Sequence, residues 1–410
     1  DNSFNVDTGS TVLTDLSIIV DPATSSTYIL TSSGVTLSLA SSSTDIDTFV
    51  LSSTAALNFS LTTDSGLLST SGAMNVGAGS FSLTTNGNIT LAMTISNTIT
   101  AGSLVLDANG QQSDVIISAN INITDGSVAI TADDSVVLLP SADIMATGAG
   151  NVTVESNTDT LDGSSLDDLV MDDGSVIDAG SGTISLTSTG TGAGNITVSE
   201  LKTTSSSNSA ITVTSISTIF DAGDTLSTTN FSAVNGGVVL VAASSIGNAP
   251  ATSLEFDVAS LDATNSGNSL HANLLSDISI TNLTINTQAN FIGSGNITQT
   301  GAIVVGALTA SLTSGAITLT NTSNNVTSVS FSATGDVSYV DTDDFDVNTT
   351  NSVIGVSTSG GSIDLSTTGS ISATQDITVS AGTGTVAVTA DSDKDGVGDS
   401  DDVCLNTPYG

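Results

Sequence analysis

One tetrapeptide recurs along the chain and sets a repeat length. Its four near-copies have the form Gly-Asn-Ile-Thr or Gly-Asn-Val-Thr and begin at Gly87, Gly150, Gly194 and Gly295. Looser copies, in which a turn glycine precedes a mostly alternating apolar pattern, begin at Gly102, Gly126, Gly182, Gly315 and Gly384. The glycines at 102, 126 and 150 are 24 residues apart, and those at 295, 315 and 335 are 20 apart. The chain therefore repeats itself, with slippage, every 20 to 24 residues.

The alternation within each copy has the period of a β-strand. Ile184 and Leu186 are apolar, whereas Ser185 and Thr187 are polar, so the two pairs face opposite sides of a strand. The density of Gly, Ser, Thr and Asn disfavours helices. Short strands separated by Gly and Asn at a fixed period predict an all-β fold, a β-solenoid or parallel β-helix of roughly 20 to 24 residues per coil.

Two other interpretations of this composition are a disordered chain and a series of β-sandwich domains. Disorder is disfavoured because the mean hydropathy is +0.30 and β-branched residues recur throughout. Tandem β-sandwich domains are the alternative fold, but such domains usually centre on bulky aromatic side chains. This chain has 10 Phe, 3 Tyr and no Trp in 410 residues, and small aliphatic residues suit the narrow interior of a solenoid.

The charge balance excludes several partners. The chain has 41 acidic residues and two basic ones, Lys202 and Lys394, giving a net charge of −39. Binding to nucleic acid depends on many Lys and Arg side chains, so we predict no nucleic-acid partner. Attraction to anionic lipid surfaces is disfavoured for the same reason. No apolar run reaches about 18 residues, so we predict no membrane-spanning helix.

An aspartate-rich segment near the C-terminus predicts a calcium site. Carboxylates occupy loop positions 1, 3, 5, 9 and 12, a glycine occupies position 6, and position 7 offers a backbone carbonyl. Ca2+ takes six to eight oxygen ligands, and this spacing places such ligands around one point. The predicted ligands are Asp391, Asp393, Asp395, the backbone of Val397, Asp399 and Asp402. An acidic, solvated tail is the alternative interpretation.

The same segment, from Asp391 to Pro408, resembles a thrombospondin type 3 repeat. The spaced aspartates, the glycine and the trailing Cys404 carry the resemblance, which implies calcium ligation by Asp391, Asp393, Asp395, Asp399 and Asp402. Such repeats usually occur in tandem with cysteines paired between them. The chain has a single cysteine, so the resemblance implies that Cys404 pairs with another chain or with sequence outside this one.

Residues 70 to 390 are similar, in repeat length and in their Gly-Asn-Ile-Thr style, to the β-helical shafts of filamentous-haemagglutinin-like bacterial surface adhesins. We therefore interpret residues 71–390 as the solenoid and 391–410 as the calcium-binding segment. Residues 1–70 are interpreted as an N-terminal β region that serves as a cap or an assembly segment.

Other polar groups give weaker signals. The acidic clusters at 162–178 and 341–346 are interpreted as solvated loops rather than cation sites. The single histidine, His271, has no nucleophile motif beside it, and Glu155, Glu200 and Glu255 have no distinctive setting. We therefore expect no enzymatic activity, although paired-carboxylate glycoside chemistry is compatible with the sequence.

The leading functional hypothesis is a secreted structural protein, extracellular or on the cell surface. It would form a calcium-stabilised fibre, sheath or biofilm matrix by self-association into filaments. The alternatives are an adhesin stalk that contacts cell-surface glycans and, less favoured, a carbohydrate-active β-helix enzyme.

Overall fold

The computed structural model describes residues 78–91, 98–158, 168–190, 194–223, 229–248, 252–381 and 383–390, together with the backbone of the strands between residues 2 and 75. Over these residues the chain is all-β, with parallel strands stacked as a β-solenoid of about 12 turns of roughly 23 residues each. The predicted fold class is thus confirmed. Tandem β-sandwiches, which are built from antiparallel sheets, do not describe these residues. The chain divides into two compact units, Asp1–Asp224 and Thr225–Gly410.

The strands of the first unit are short. They are β1 (Asn2–Asp7), β2 (Asp15–Ile19), β3 (Ser26–Ser32), β4 (Thr36–Ser41), β5 (Thr48–Ser53), β6 (Asn58–Thr63), β7 (Leu68–Ser69), β8 (Met74–Asn75), β9 (Ser80–Thr85), β10 (Ile89–Leu91), β11 (Thr98–Ala101), β12 (Ser103–Ala108), β13 (Val115–Ile117), β14 (Asn120–Thr124), β15 (Val128–Ala132), β16 (Val136–Leu138), β17 (Asp143–Thr147), β18 (Val152–Ser156), β19 (Leu169–Met171), β20 (Val176–Asp178), β21 (Ile184–Ser188), β22 (Ile196–Val198), β23 (Glu200–Lys202), β24 (Ile211–Ser215) and β25 (Ile219–Asp221).

These strands form three parallel stacks, one for each face of the coil. The first contains β2, β4, β6, β9, β12, β15, β18, β21 and β24. The second contains β1, β3, β5, β8, β11, β14, β17, β20 and β23. The third contains β7, β10, β13, β16, β19, β22 and β25. The strands before residue 70 therefore pair in the same parallel manner as those of the predicted solenoid.

The second unit contains long strands as well as short ones. They are β26 (Phe231–Ala242), β27 (Leu254–Asn265), β28 (Ser269–Leu274), β29 (Ile278–Ser294), β30 (Ile297–Gln299), β31 (Ile303–Ser314), β32 (Ile317–Leu319), β33 (Asn325–Ala333), β34 (Val337–Asp341), β35 (Phe345–Val347), β36 (Thr349–Thr350), β37 (Val353–Ile354), β38 (Val356–Thr358), β39 (Ile363–Thr367), β40 (Ile371–Ala373), β41 (Ile377–Val379) and β42 (Val386–Thr389). The register shifts between Ile285 and Gln288 of β29, where this strand pairs with β31. The pairing thus continues on both sides of an irregularity.

The core consists of like residues stacked from turn to turn. In the first unit Leu104 pairs with Val128, which pairs with Val152, which in turn pairs with Ile184, and all four are buried. Fully burying one such side chain contributes about 1.5–3 kcal/mol. Strand β21 alternates buried and half-buried residues along its length, as its sequence pattern predicts.

The second unit also buries aromatic rings. Phe231 stacks on Phe256 with ring centroids 4.9 Å apart. Tyr339 makes edge-to-face contacts with Phe331 at 5.6 Å and with Phe345 at 5.3 Å. The interior is therefore wide enough for aromatic side chains at these turns. The sequence-based expectation of a narrow core of small aliphatic residues did not include them.

Candidate functional site

The asparagine of the repeated tetrapeptide joins one turn to the next. Its side-chain Oδ1 accepts a hydrogen bond from a backbone N–H about one turn further along the chain. The acceptor and donor pairs are Asn88 with Asp114 at 3.0 Å, Asn151 with Thr183 at 3.0 Å, Asn195 with Thr218 at 3.4 Å, and Asn296 with Ala316 at 2.9 Å. The motif thus supplies an inter-turn hydrogen bond as well as a turn.

Aspartate performs the same task at other turns. The carboxylate oxygens accept from the backbone N–H groups of the following turn in the pairs Asp114 with Ser135 at 3.2 Å, Asp168 with Asn195 at 2.8 Å, Asp277 with Asn296 at 2.7 Å, Asp336 with Ser362 at 2.7 Å, and Asp344 with Ser370 at 2.7 Å. The position needs a hydrogen-bond acceptor, and Lys and Arg side chains only donate. Part of the excess of acid over base therefore follows from the fold.

The surroundings of these carboxylates shift their pKa values in opposite directions. The backbone and side-chain N–H groups of Asn296 lower the pKa of exposed Asp277. Burial raises the pKa of Asp114 and of Asp143 because it disfavours the charged form.

The acidic cluster at 341–346 corrects one interpretation from the sequence. Asp341 is not part of a solvated loop, because it is only 1% exposed and its carboxylate points into the core. The carboxylate accepts hydrogen bonds from the Tyr339 hydroxyl, from the Val326 N–H at 3.1 Å and from the Thr342 N–H at 2.7 Å. Asp343 and Asp344 of the same cluster are exposed. Asp341 therefore links two turns from inside the core.

Burial raises the pKa of Asp341 to about 6, against an ordinary value of 3.8. The folded state favours the protonated form of Asp341. The contribution of this residue to the free energy of unfolding is therefore fully present below about pH 4 and is lost as the pH rises through 6. The free energy of unfolding should differ between these two pH ranges by on the order of 3 kcal/mol.

We predict that Asp341→Asn removes this loss, because the amide is neutral at every pH and retains an acceptor oxygen. Denaturant unfolding at pH 4 and at pH 7 measures this effect. Between pH 4 and pH 7 the free energy of unfolding should fall less for the variant than for the unsubstituted protein. Asp364→Asn, at an exposed position of the same unit, is the control. Parallel pH profiles for Asp341→Asn and the unsubstituted protein would contradict the assignment.

The other acidic cluster is divided among separate contacts. Asp178 Oδ1 accepts from the Gly180 N–H at 2.8 Å, and its Oδ2 lies 3.7 Å from Lys202 Nζ. Asp168 belongs to the inter-turn set, whereas Asp162 and Asp167 lie outside the described residues. Among the residues that the structure describes, no group of three or more His, Cys, Asp or Glu is placed to hold a metal ion.

The predicted calcium ligands, Asp391, Asp393, Asp395, Val397, Asp399 and Asp402, lie outside the described residues, as does Cys404. Calcium binding at this segment therefore stays a prediction.

The last described turn presents a sheet edge. Val386 and Val388 pair with Ile363 and Leu365 of the preceding turn, which are buried in the core. Val386 occupies the equivalent position but is 40% exposed. Within the described residues, no strand pairs with the far side of β42. This edge, formed by β40, β41 and β42, is called the open edge below.

The titratable residues considered for catalysis lie in different places. Glu155 accepts from the Thr189 hydroxyl at 3.2 Å on the surface of the first unit. Glu200 begins β23. Glu255 is buried on β27 and pairs with Asn273 of β28, two residues from His271. Burial lowers the pKa of His271, which favours a neutral imidazole.

A search of family models, of curated proteins and of solved structures finds no match to this chain. In the part of the chain that the structure describes, no helix has the length and apolar character needed to cross a membrane.

Proposed function

We propose that this chain is a secreted structural protein that builds a fibre, sheath or matrix outside the cell or on its surface, by stacking one copy on the next. The open edge carries the proposal. An exposed sheet edge offers unpaired backbone N–H and C=O groups that accept another strand. The apolar side chains at core positions there, Val386 above all, add an area that a further turn would bury.

A second copy of the chain suits this edge because described turns elsewhere in the chain carry the complementary pattern. Val386 and Val388 extend the inward-facing pair Ile363 and Leu365. Turns of the first unit present the same inward pair at the same spacing, for example Ile184 and Leu186. A parallel strand from another copy would continue both the backbone hydrogen bonds and the apolar stack.

Sedimentation of the purified chain over a range of concentrations tests the proposal. We expect assemblies that grow with concentration. A single species of unchanged size throughout would contradict it, since an edge that buries apolar area should associate by mass action.

We propose calcium as the stabilising ion, bound by Asp391, Asp393, Asp395, Asp399, Asp402 and the Val397 carbonyl. The support is the ligand spacing in the sequence, because hard carboxylate oxygens at these loop positions suit Ca2+. An ion that binds only the folded segment stabilises it, by about 2.7 kcal/mol when free calcium is 100 times Kd.

Calorimetric titration should show saturable calcium binding that Asp393→Asn with Asp395→Asn abolishes. The control pair, Asp364→Asn with Asp376→Asn, removes the same charge from exposed positions and should bind as before. Equal binding by both double variants would show that calcium is attracted by the net charge alone, and it would contradict the proposed site. Because sedimentation can be run with calcium or with chelator, loss of this site leaves the stacking proposal separately testable.

A further inference from the structure

A column of polar residues lies on the outer face of the second unit, and it is buried. His271 pairs with Asn290, Asn290 with Thr309, and Thr309 with Ser330, on the parallel strands β28, β29, β31 and β33. The neighbours of each on its own strand are apolar core residues, so these four point away from the core. Their exposed fractions are nevertheless 6%, 1%, 0% and 0%. We call this set the His271 column.

Two flanking turns lie against the ends of the column, and one of them does so with extra residues. Val347 and Val356 pair with Val329 and Phe331, so eight residues of one turn stand opposite Ser330 alone. Six of the eight form the antiparallel hairpin of β36 and β37. At the other end of the column, Gly247 has a φ of +67° and lies so close that a Cβ there would be 2.6 Å from the His271 carbonyl oxygen.

Polar contacts hold the hairpin over the end of the column formed by Thr309 and Ser330. The Ser330 hydroxyl donates to the Asn348 carbonyl at 2.8 Å, and Asn351 Nδ2 lies 3.5 Å from Thr309 Oγ1. Ile354 of the hairpin is 63% exposed, so it adds little apolar anchoring. Asn351 and Ser352 at the turn both have positive φ, at 50° and 68°, which is unfavourable for residues with a Cβ.

The His271 end of the column contains polar atoms without hydrogen-bond partners. Asn290 Oδ1, Asn290 Nδ2 and His271 Nδ1 are all buried and unpaired. Leaving a buried donor or acceptor unpaired is unfavourable. The Asn290 amide offers one donor and one acceptor, and the His271 ring nitrogen lies beside it on the neighbouring strand. Such a set is complementary to ligand groups that both donate and accept hydrogen bonds. Neighbouring hydroxyls of a sugar are such groups.

We propose that the His271 column is a binding site for a neutral carbohydrate, closed by the hairpin of β36 and β37. Neutrality follows from the surroundings: the column contains no carboxylate, Lys or Arg, burial favours the neutral form of His271, and the net charge of −39 repels anionic glycans. The site lies on the outer face of the coil and is independent of the open edge. It gives the fibre a function that stacking alone does not.

The variant Asn290→Leu separates binding from folding. It replaces the unpaired amide with an apolar group of similar shape, a change that is nearly neutral or stabilising when no partner is lost. We therefore expect unchanged or higher thermal stability together with a loss of sugar binding of at least about tenfold, since the lost hydrogen bonds carry at least about 1.4 kcal/mol. Asn325→Ala, an exposed asparagine of the same unit, is the control.

Saturation-transfer NMR with lactose, cellobiose, maltose and diacetylchitobiose provides the binding readout. We expect a signal from at least one of these disaccharides, retained in Asn325→Ala and lost in Asn290→Leu. Hydrogen exchange should also show slower exchange of the hairpin amides when that sugar is present. Absence of binding by all four, binding unaffected by Asn290→Leu, or lowered stability of Asn290→Leu would each overturn the proposal.

Discussion

Replacing Asn324 with Ala should destabilise the second unit by about 3–5 kcal/mol, since each buried group left unpaired costs about 1–3 kcal/mol. Asn324 is fully buried. Its Oδ1 accepts from the Ile303 N–H at 2.9 Å and from Gln299 Nε2 at 2.8 Å. Its Nδ2 donates to the Val340 carbonyl at 2.9 Å and to Gln299 Oε1 at 3.0 Å. One side chain thus links three successive turns.

The neighbouring asparagine provides the control. Asn325 is exposed, and its Nδ2 donates at 3.2 Å to an exposed carboxylate, that of Asp343. Asn325→Ala should therefore change the free energy of unfolding by less than about 0.5 kcal/mol. Denaturant unfolding of both variants measures the difference. Equally small losses for the two would show that the Asn324 network does not stabilise the turns.

Placing lysines at the core positions of the open edge should abolish assembly. In the double variant Val386→Lys with Val388→Lys, two charges would have to enter the core of the next turn. Burying an unpaired charge costs several kcal/mol, so we expect the concentration needed for assembly to rise more than about 100-fold.

The matched control is Ala387→Lys with Thr389→Lys. It adds the same charge to the same strand, but these two residues alternate with the valines and pair with Asp364 and Ser366, which are not buried. Its assembly should remain close to that of the unsubstituted chain, as light scattering can record. If both double variants assemble equally well, the open edge is not the contact.

The sequence predicts the coil because its determinants are local. The turn glycines and the alternation at Ile184 and Leu186 depend on nearest neighbours, and the structure confirms both the parallel stacking and the direction of these side chains. The role of Asn88 and its equivalents was not predicted in detail, since their backbone partners lie 20 to 32 residues away.

Asp341 could have been found from the sequence, but His271 could not. Asp341 has the same parity as Val337 and Tyr339, so the alternation of β34 already places it inside. His271 lies between Leu270 and Ala272, and the same reasoning places it outside, which is correct for its direction. Its burial depends on what the rest of the unit places over the outer face of the sheet, and alternation along one strand contains no information about that.

Electron cryo-microscopy of the concentrated chain tests the proposed stacking most directly. We expect filaments in which a strand of a second copy follows β42 at about 4.8 Å, in parallel register with Val386 and Val388 facing a continuous core. Separate particles of constant length at every concentration, with calcium present, would contradict it.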